Sequence, residues 1–284
     1  MLRTRRWMGS ILIALTAGML VGDQFLAPWF PFLFLFQVGL GLLGCLELVH
    51  LLGPERAPQK PIAFLGVLVM GCANWAGHLP GMRADPWLWL LGAFAGLNLL
   101  VFVFEMATLP QFGRCTERMA NTLLIIAYLG LLPSFLAQER WLFTPVAGSF
   151  ALALTIFVPK MCDSGAYFTG RLLGKHKMTP VLSPKKTWEG AAGGFAFAVL
   201  TAVLLDQLAA EAPLGRCWVC EIGFGLSVGL AGMLGDLAES LLKRDCQKKD
   251  ASAVVPGFGG ILDVVDAVIF AAPVAFAWFV LGRG

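Results

Sequence analysis

The stretch Gly235–Asp266 reads GDLAESLLKRDCQKKDASAVVPGFGGILDVVD. It holds five aspartates, one glutamate and four basic residues in an otherwise apolar chain. Two acidic pairs repeat a spacing of three, Asp236 with Glu239 and Asp263 with Asp266. Residues three apart share a face of a helix, so each pair projects its carboxylates in one direction. Between the pairs lie Lys243, Arg244, Lys248 and Lys249, then a turn over Pro256, Gly257, Phe258, Gly259 and Gly260. Carboxylates facing lysines across a glycine-rich turn suit a magnesium ion and a polyphosphate. Hard cations take oxygen ligands, and Mg²⁺ is usually held by one or two carboxylates together with substrate phosphates. The plain alternative is a solvated loop between two membrane helices.

A second polar stretch, residues 158–190, carries six basic residues. Asp163 stands where an apolar run approaches the membrane surface, a costly place unless the carboxylate is paired, wet or bound to a cation. Gly170 and Gly174 suit a helix end. Ser183-Pro184 or Thr187 can cap the next helix. Backbone N–H groups at such a helix start bind phosphate, and Lys185 and Lys186 place two more charges beside it. No Walker-type GxxxxGK[ST] occurs, which disfavours a P-loop nucleotide hydrolase.

The elements that must position these groups are membrane helices. With 58% hydrophobic and 14% charged residues and a mean hydropathy of +0.76, the chain is too apolar for a soluble domain. Apolar runs of spanning length predict about nine transmembrane helices near 8–22, 28–52, 62–79, 86–108, 119–137, 144–170, 190–208, 221–242 and 261–281. The expected fold is an all-α polytopic membrane protein. With the N-terminus cytoplasmic, sixteen of the 21 Lys and Arg residues fall inside and four outside, and Lys160 lies within a span. That bias supports the span count, this orientation and an external C-terminus. Residues 1–140 read as packing and lipid contact. Residues 141–284 read as the catalytic region, with cytoplasmic loops 171–189 and 243–260. Glu47, His50 and Glu105 can each reach the interface, and are read as structural. Cys217 and Cys220 form a CxxC with no partner pair for zinc.

Two motifs together carry a family resemblance. Ser240-Leu-Leu-Lys-Arg, Lys249-Asp250, Ser252, Pro256-Gly257, Gly259-Gly260, Asp263 and Asp266, in that spacing, closely resemble the signature of bacterial phosphatidate cytidylyltransferases, also called CDP-diacylglycerol synthases. Upstream, Asp163-Ser-Gly-Ala-Tyr-Phe-Thr-Gly-Arg and Ser183-Pro-Lys-Lys-Thr-Trp-Glu-Gly resemble that family's second block. The resemblance covers about residues 158–270. Phe258 stands where the family usually has histidine and Val264 where it usually has arginine, which removes one titratable group and one cation.

The resemblance implies a Mg²⁺-dependent transfer of CMP from CTP to phosphatidic acid. The products are CDP-diacylglycerol and pyrophosphate. It implies Asp236 and Asp263 as metal ligands from two spans, with Glu239 and Asp266 one turn along as supporting groups or ligands of a second cation. Lys243, Arg244, Lys249, Lys185 and Lys186 would bind the triphosphate or the lipid phosphate. Asp163, Ser240, Asp250, Gly257, Gly259 and Gly260 complete the site. It also implies a bacterial inner-membrane location, a cytoplasm-facing site and a possible homodimer, with no nucleic-acid partner. A cytidylyltransferase for another lipid phosphate would share every motif. A transporter predicts carboxylates near span centres and paired inverted halves, which the sequence does not display.

Overall fold

The computed structural model describes the chain except residues 1, 80, 82–84, 109–112, 249–251, 253–258 and 283–284; the side chains of residues 2–6, 8 and 12 are also outside the description. Nine long helices run through the described residues: α1 Leu2–Gly22, α2 Pro31–Leu52, α3 Lys60–Ala76, α4 Pro86–Thr108, α5 Cys115–Leu142, α6 Pro145–Leu173, α7 Trp188–Leu208, α8 Trp218–Asp245 and α9 Leu262–Leu281. Each matches one expected span. Eight are long and apolar enough to cross a membrane; α3, with 17 residues, is about 25 Å long and falls short of a 30 Å hydrocarbon core. The protein is a multi-pass membrane protein.

Local chemistry sets the helix ends. Pro31 opens α2, and the Asp23 carboxylate accepts from Phe32 N and Leu33 N at 3.0 and 2.7 Å, satisfying two orphan amides of that first turn. Thr144 caps α6 ahead of Pro145, and Gly174 closes it. Thr187, rather than Ser183, caps α7 by accepting from Gly190 N. Among the described residues, the paired strands that depart from an all-helical plan lie here. The expected loop 171–189 contains an antiparallel hairpin, β1 Lys177–Thr179 and β2 Ser183–Thr187. A π-helical turn, Ala127–Leu131, interrupts α5.

Two apolar cores meet along α9. One packs Leu154 of α6, Ala198 of α7, Phe224 of α8 and Phe279 of α9. The other packs Leu48 of α2, Val67 of α3, Leu129 of α5 and Leu262 of α9. Small residues let the helices of the C-terminal half approach closely, as at many membrane-helix crossings. A Cβ on Gly232 of α8 would collide with Pro159 of α6, and one on Gly235 with the carbonyl of Asp266 on α9. These crossings bring the polar positions beside Pro159, Gly235 and Asp266 into one volume.

Candidate active site at a cluster of carboxylates and lysines

Asp236, Glu239, Ser240 and Lys243 follow one another along one stripe of α8. Asp266 meets that stripe from α9. One oxygen from each of Asp236, Glu239 and Asp266 lies within 4.8 Å of the other two. Each carboxylate has its own lysine, from a different element. Lys186 Nζ of β2 is 2.7 Å from Asp236 Oδ2, and Lys160 Nζ of α6 is 3.0 Å from Asp266 Oδ1. Lys243 Nζ of α8 is 2.7 Å from Glu239 Oε2. Lys243 is also 2.6 Å from Asp263 Oδ1, so Asp263 joins the group through that lysine. Glu239 and Asp266 are buried, and buried charges persist only when paired.

The residues fit a hard divalent cation. The donors are all oxygen. Asp163, Asp236, Glu239, Asp263 and Asp266 outnumber Lys160, Lys186 and Lys243, which leaves net negative charge. Glu239 Oε1 is buried and has no hydrogen-bond partner among the described residues, which leaves an oxygen open to a ligand beside Asp236 and Asp266. Mg²⁺ holds oxygens at about 2.0–2.1 Å, which places ligands roughly 3–4 Å apart. The three oxygens lie within 4.8 Å of one another, a bound that admits such a spacing.

A cavity of about 210 Å³ adjoins the cluster, between α6, the hairpin, α7 and α8. Asp163, Tyr167, Lys185, Lys186, Met233 and Asp236 are among its walls. Lys185 is exposed there, and Asp163 is half-buried. Ser240 is half-buried on the α8 stripe, whereas Arg244 is exposed one position beyond Lys243. Lys249, Asp250 and Gly257, with Phe258, lie outside the described residues. Gly259 has φ 102°, and a Cβ there would stand 2.5 Å from Asp263 Oδ2. One on Gly260 would collide with the Glu47 carboxylate. These two glycines let the chain turn tightly over carboxylates. Asp263 Oδ2 accepts from Gly260 N at 2.7 Å, capping the helix that carries it.

Three contributors were not legible in advance. Lys160 was counted only as a charge within a span. Tyr128, in the π-helical turn, has a buried hydroxyl without a hydrogen-bond partner among the described residues, within electrostatic reach of Asp266, Glu239 and Asp236. Both tyrosines of the chain, Tyr128 and Tyr167, thus border the site. Glu47 is structural, as expected, but it is buried rather than at the interface. Buried in α2, it accepts from Ile261 N at 2.8 Å, Leu262 N at 2.9 Å and Ser252 Oγ at 2.6 Å, and so fixes the start of α9. Glu105 also has partners: Gln59 Nε2 donates to it at 2.6 Å and Arg118 stands 3.7 Å away. An amide at position 47 would turn an N–H toward backbone donors. Glu47→Gln is expected to lower stability by about 2 kcal/mol, read as a lower midpoint of thermal unfolding in detergent.

A model of the cytidylyltransferase family matches residues 3–281. The chain belongs to that family. The phosphatidate cytidylyltransferase of Bacillus subtilis is 47% identical over 119 residues, 42% of each chain. That of Haemophilus influenzae is 33% identical over 190 residues, covering 65% of this chain and 64% of the relative. That of Brucella suis is 34% identical over 205 residues, covering 68% and 72%. The first two alignments span less than two thirds of those relatives' length.

Proposed function

We propose that the protein is a phosphatidate cytidylyltransferase of a bacterial inner membrane, taking CTP from the cytoplasm and phosphatidic acid from the bilayer. The carrying observation is the group Asp236, Glu239 and Asp266, with its spare buried oxygen, ringed by three lysines. The names of the relatives and the family match support the same reading. The side facing the cytoplasm follows from the excess of basic residues in the loops assigned there. Two copies would pair in the membrane, as the resemblance implies.

A phosphate oxygen of phosphatidic acid forms the new bond to the α-phosphorus of CTP, the bond from that phosphorus to the β-phosphate oxygen breaks, and pyrophosphate leaves. The lipid phosphate brings its own nucleophilic oxygen, so no serine or cysteine nucleophile is needed. Such a transfer depends on positioning and charge neutralisation. Asp236, Glu239 and Asp266 would hold Mg²⁺, with Asp263 beside them for a second cation. When bound there, the ion would supply positive charge to offset that of the phosphate oxygens and of the pyrophosphate. Lys186 and Lys243 sit at the edge of that group, placed to bind phosphate oxygens beyond it. Arg244 extends the cationic edge toward solvent and can fork onto two oxygens. Lys160 holds Asp266 in register.

Purified protein given labelled CTP and phosphatidic acid in detergent micelles is expected to form a labelled lipid and pyrophosphate, only with Mg²⁺ present. No labelled lipid from phosphatidic acid, with product from a different lipid phosphate, would reassign the acceptor. No product from any lipid phosphate would remove the enzymatic reading.

A further inference from the structure

The hairpin β1–β2 has a composition at odds with a turn in water. Its three-residue connection is Pro180, Val181 and Leu182, where turns usually carry Gly, Asn, Asp or Ser. Val181 is 94% exposed. A two-stranded hairpin is marginal alone, yet this one is tied at its base. His176 Nδ1 lies 2.6 Å from Glu189 Oε1, Lys175 N and His176 N donate to Glu189, and Trp188 N donates to His176 O at 3.0 Å. The base is fixed, and at the tip Val181 stands clear of the protein while Leu182 is half-buried.

The tip is not an isolated apolar spot. Tyr167 and Phe168 pack edge to face at 5.5 Å near the end of α6. Both are largely exposed, as are Leu172, Leu173 and Trp188. Aromatic and apolar groups of this kind, set among basic residues, suit the boundary between headgroups and acyl chains. Arg171, Lys175, Lys177 and Lys185 supply the basic partners that an anionic lipid surface attracts. The bordering cavity is lined largely by apolar surface, with Asp163, Lys185, Lys186 and Asp236 as its charged groups. Lys185 is exposed on its wall with no carboxylate partner among the described residues, while Lys186 turns inward to Asp236. Arg171 Nη1 donates to Tyr167 Oη at 3.2 Å, which puts a guanidinium at the rim. The volume of about 210 Å³ is below the roughly 300–1,000 Å³ that encloses a drug-sized ligand. It fits a phosphate with its glycerol better than a nucleoside triphosphate.

We propose that the 177–187 hairpin and the last turns of α6 form a lip seated in the bilayer surface, through which the lipid substrate enters. The cavity behind the lip takes the lipid's phosphomonoester, held by Lys185 and Arg171. Lys186, shared between cavity and carboxylates, places that phosphate beside the cation group. The acyl chains remain outside, against Tyr167, Phe168 and Val181. The proposal rests on the cytidylyltransferase reading and assigns its two substrates to separate sides of the site. The nucleotide takes the Lys243 and Arg244 side.

Two measurements test it. An environment-sensitive label on Val181→Cys, in vesicles and corrected for label on the native cysteines, is expected to shift to the blue and be quenched by lipids brominated on the acyl chains. A label that reports water overturns the lip, whether or not the protein turns over. In kinetics, Val181→Asp is expected to raise the apparent KM for long-chain phosphatidic acid in vesicles about tenfold, leaving KM for CTP unchanged. The effect should vanish with a water-soluble short-chain phosphatidic acid. Lys185→Ala is expected to raise KM for both lipids by about tenfold and not that for CTP. A rise in KM for CTP alone gives the cavity to the nucleotide and overturns the assignment. If the unsubstituted protein makes no liponucleotide, the function reading fails, and the fluorescence still decides the lip.

Discussion

Asp236→Asn is expected to abolish Mg²⁺-dependent pyrophosphate release while the protein still folds. The carboxylate is half-buried and pairs with Lys186, so an amide of the same shape fits the space. What is lost is a negative oxygen in a group of three within 4.8 Å. Removing one preorganised electrostatic contact at a reacting centre costs about 10²–10³ in turnover, and losing a carboxylate that would hold the cation would cost at least that. Turnover across a Mg²⁺ titration checks it: the variant should need far more Mg²⁺ and stay below about one hundredth of the unsubstituted rate. Unchanged turnover would take Asp236 off the cation. Asp263→Asn in the same titration resolves the neighbouring position. An equal rise in required Mg²⁺ puts Asp263 on the cation as well, as the resemblance implies. A rate loss at unchanged Mg²⁺ requirement confines it to holding Lys243 and the start of α9, the contacts it makes.

The helices were legible because the bilayer sets their length, and nine apolar runs matched nine helices. The stripe on α8 was legible because a spacing of three or four survives in any helix. The meeting of α8 with α9 was not, because it depends on Gly235 lying against the carbonyl of Asp266, a tertiary crossing that local pattern does not encode. Glycines at 232 and 235, directly before Asp236, were a signal in hindsight: on a membrane helix, small residues three or four apart mark close approach. Lys160 gave no sign of its partner, since Asp266 lies 106 positions away. Glu47 is 214 positions from Ile261. The hairpin was hidden by Pro180 and Pro184, which argue against strands, and by lysines that positive-inside topology already explained. Tyr128 acquires its position from a π-helical turn, which shifts the face presented by one residue and leaves no period to read.

Lys243→Met is expected to damage both fold and chemistry, and the two losses can be separated. The ammonium touches Glu239 at 2.7 Å and Asp263 at 2.6 Å, with its side chain 10% exposed. Without it, two poorly hydrated carboxylates face each other near Asp266. Breaking a buried pair from one side costs about 3–5 kcal/mol, so the unfolding midpoint in detergent should drop by many degrees. Pairing the change with Asp263→Asn removes one of the stranded charges, and neighbours in one network are not additive. The double variant should therefore regain a large part of the lost stability. Its turnover should stay at least about a hundredfold down, because the cation that would face the triphosphate is still missing. Recovery of turnover in step with stability would make Lys243 a structural lysine and leave the nucleotide side of the site to Arg244. Recovery of stability alone, with turnover well below that of Asp263→Asn by itself, fixes the ammonium of Lys243 as a charge that the transfer itself requires.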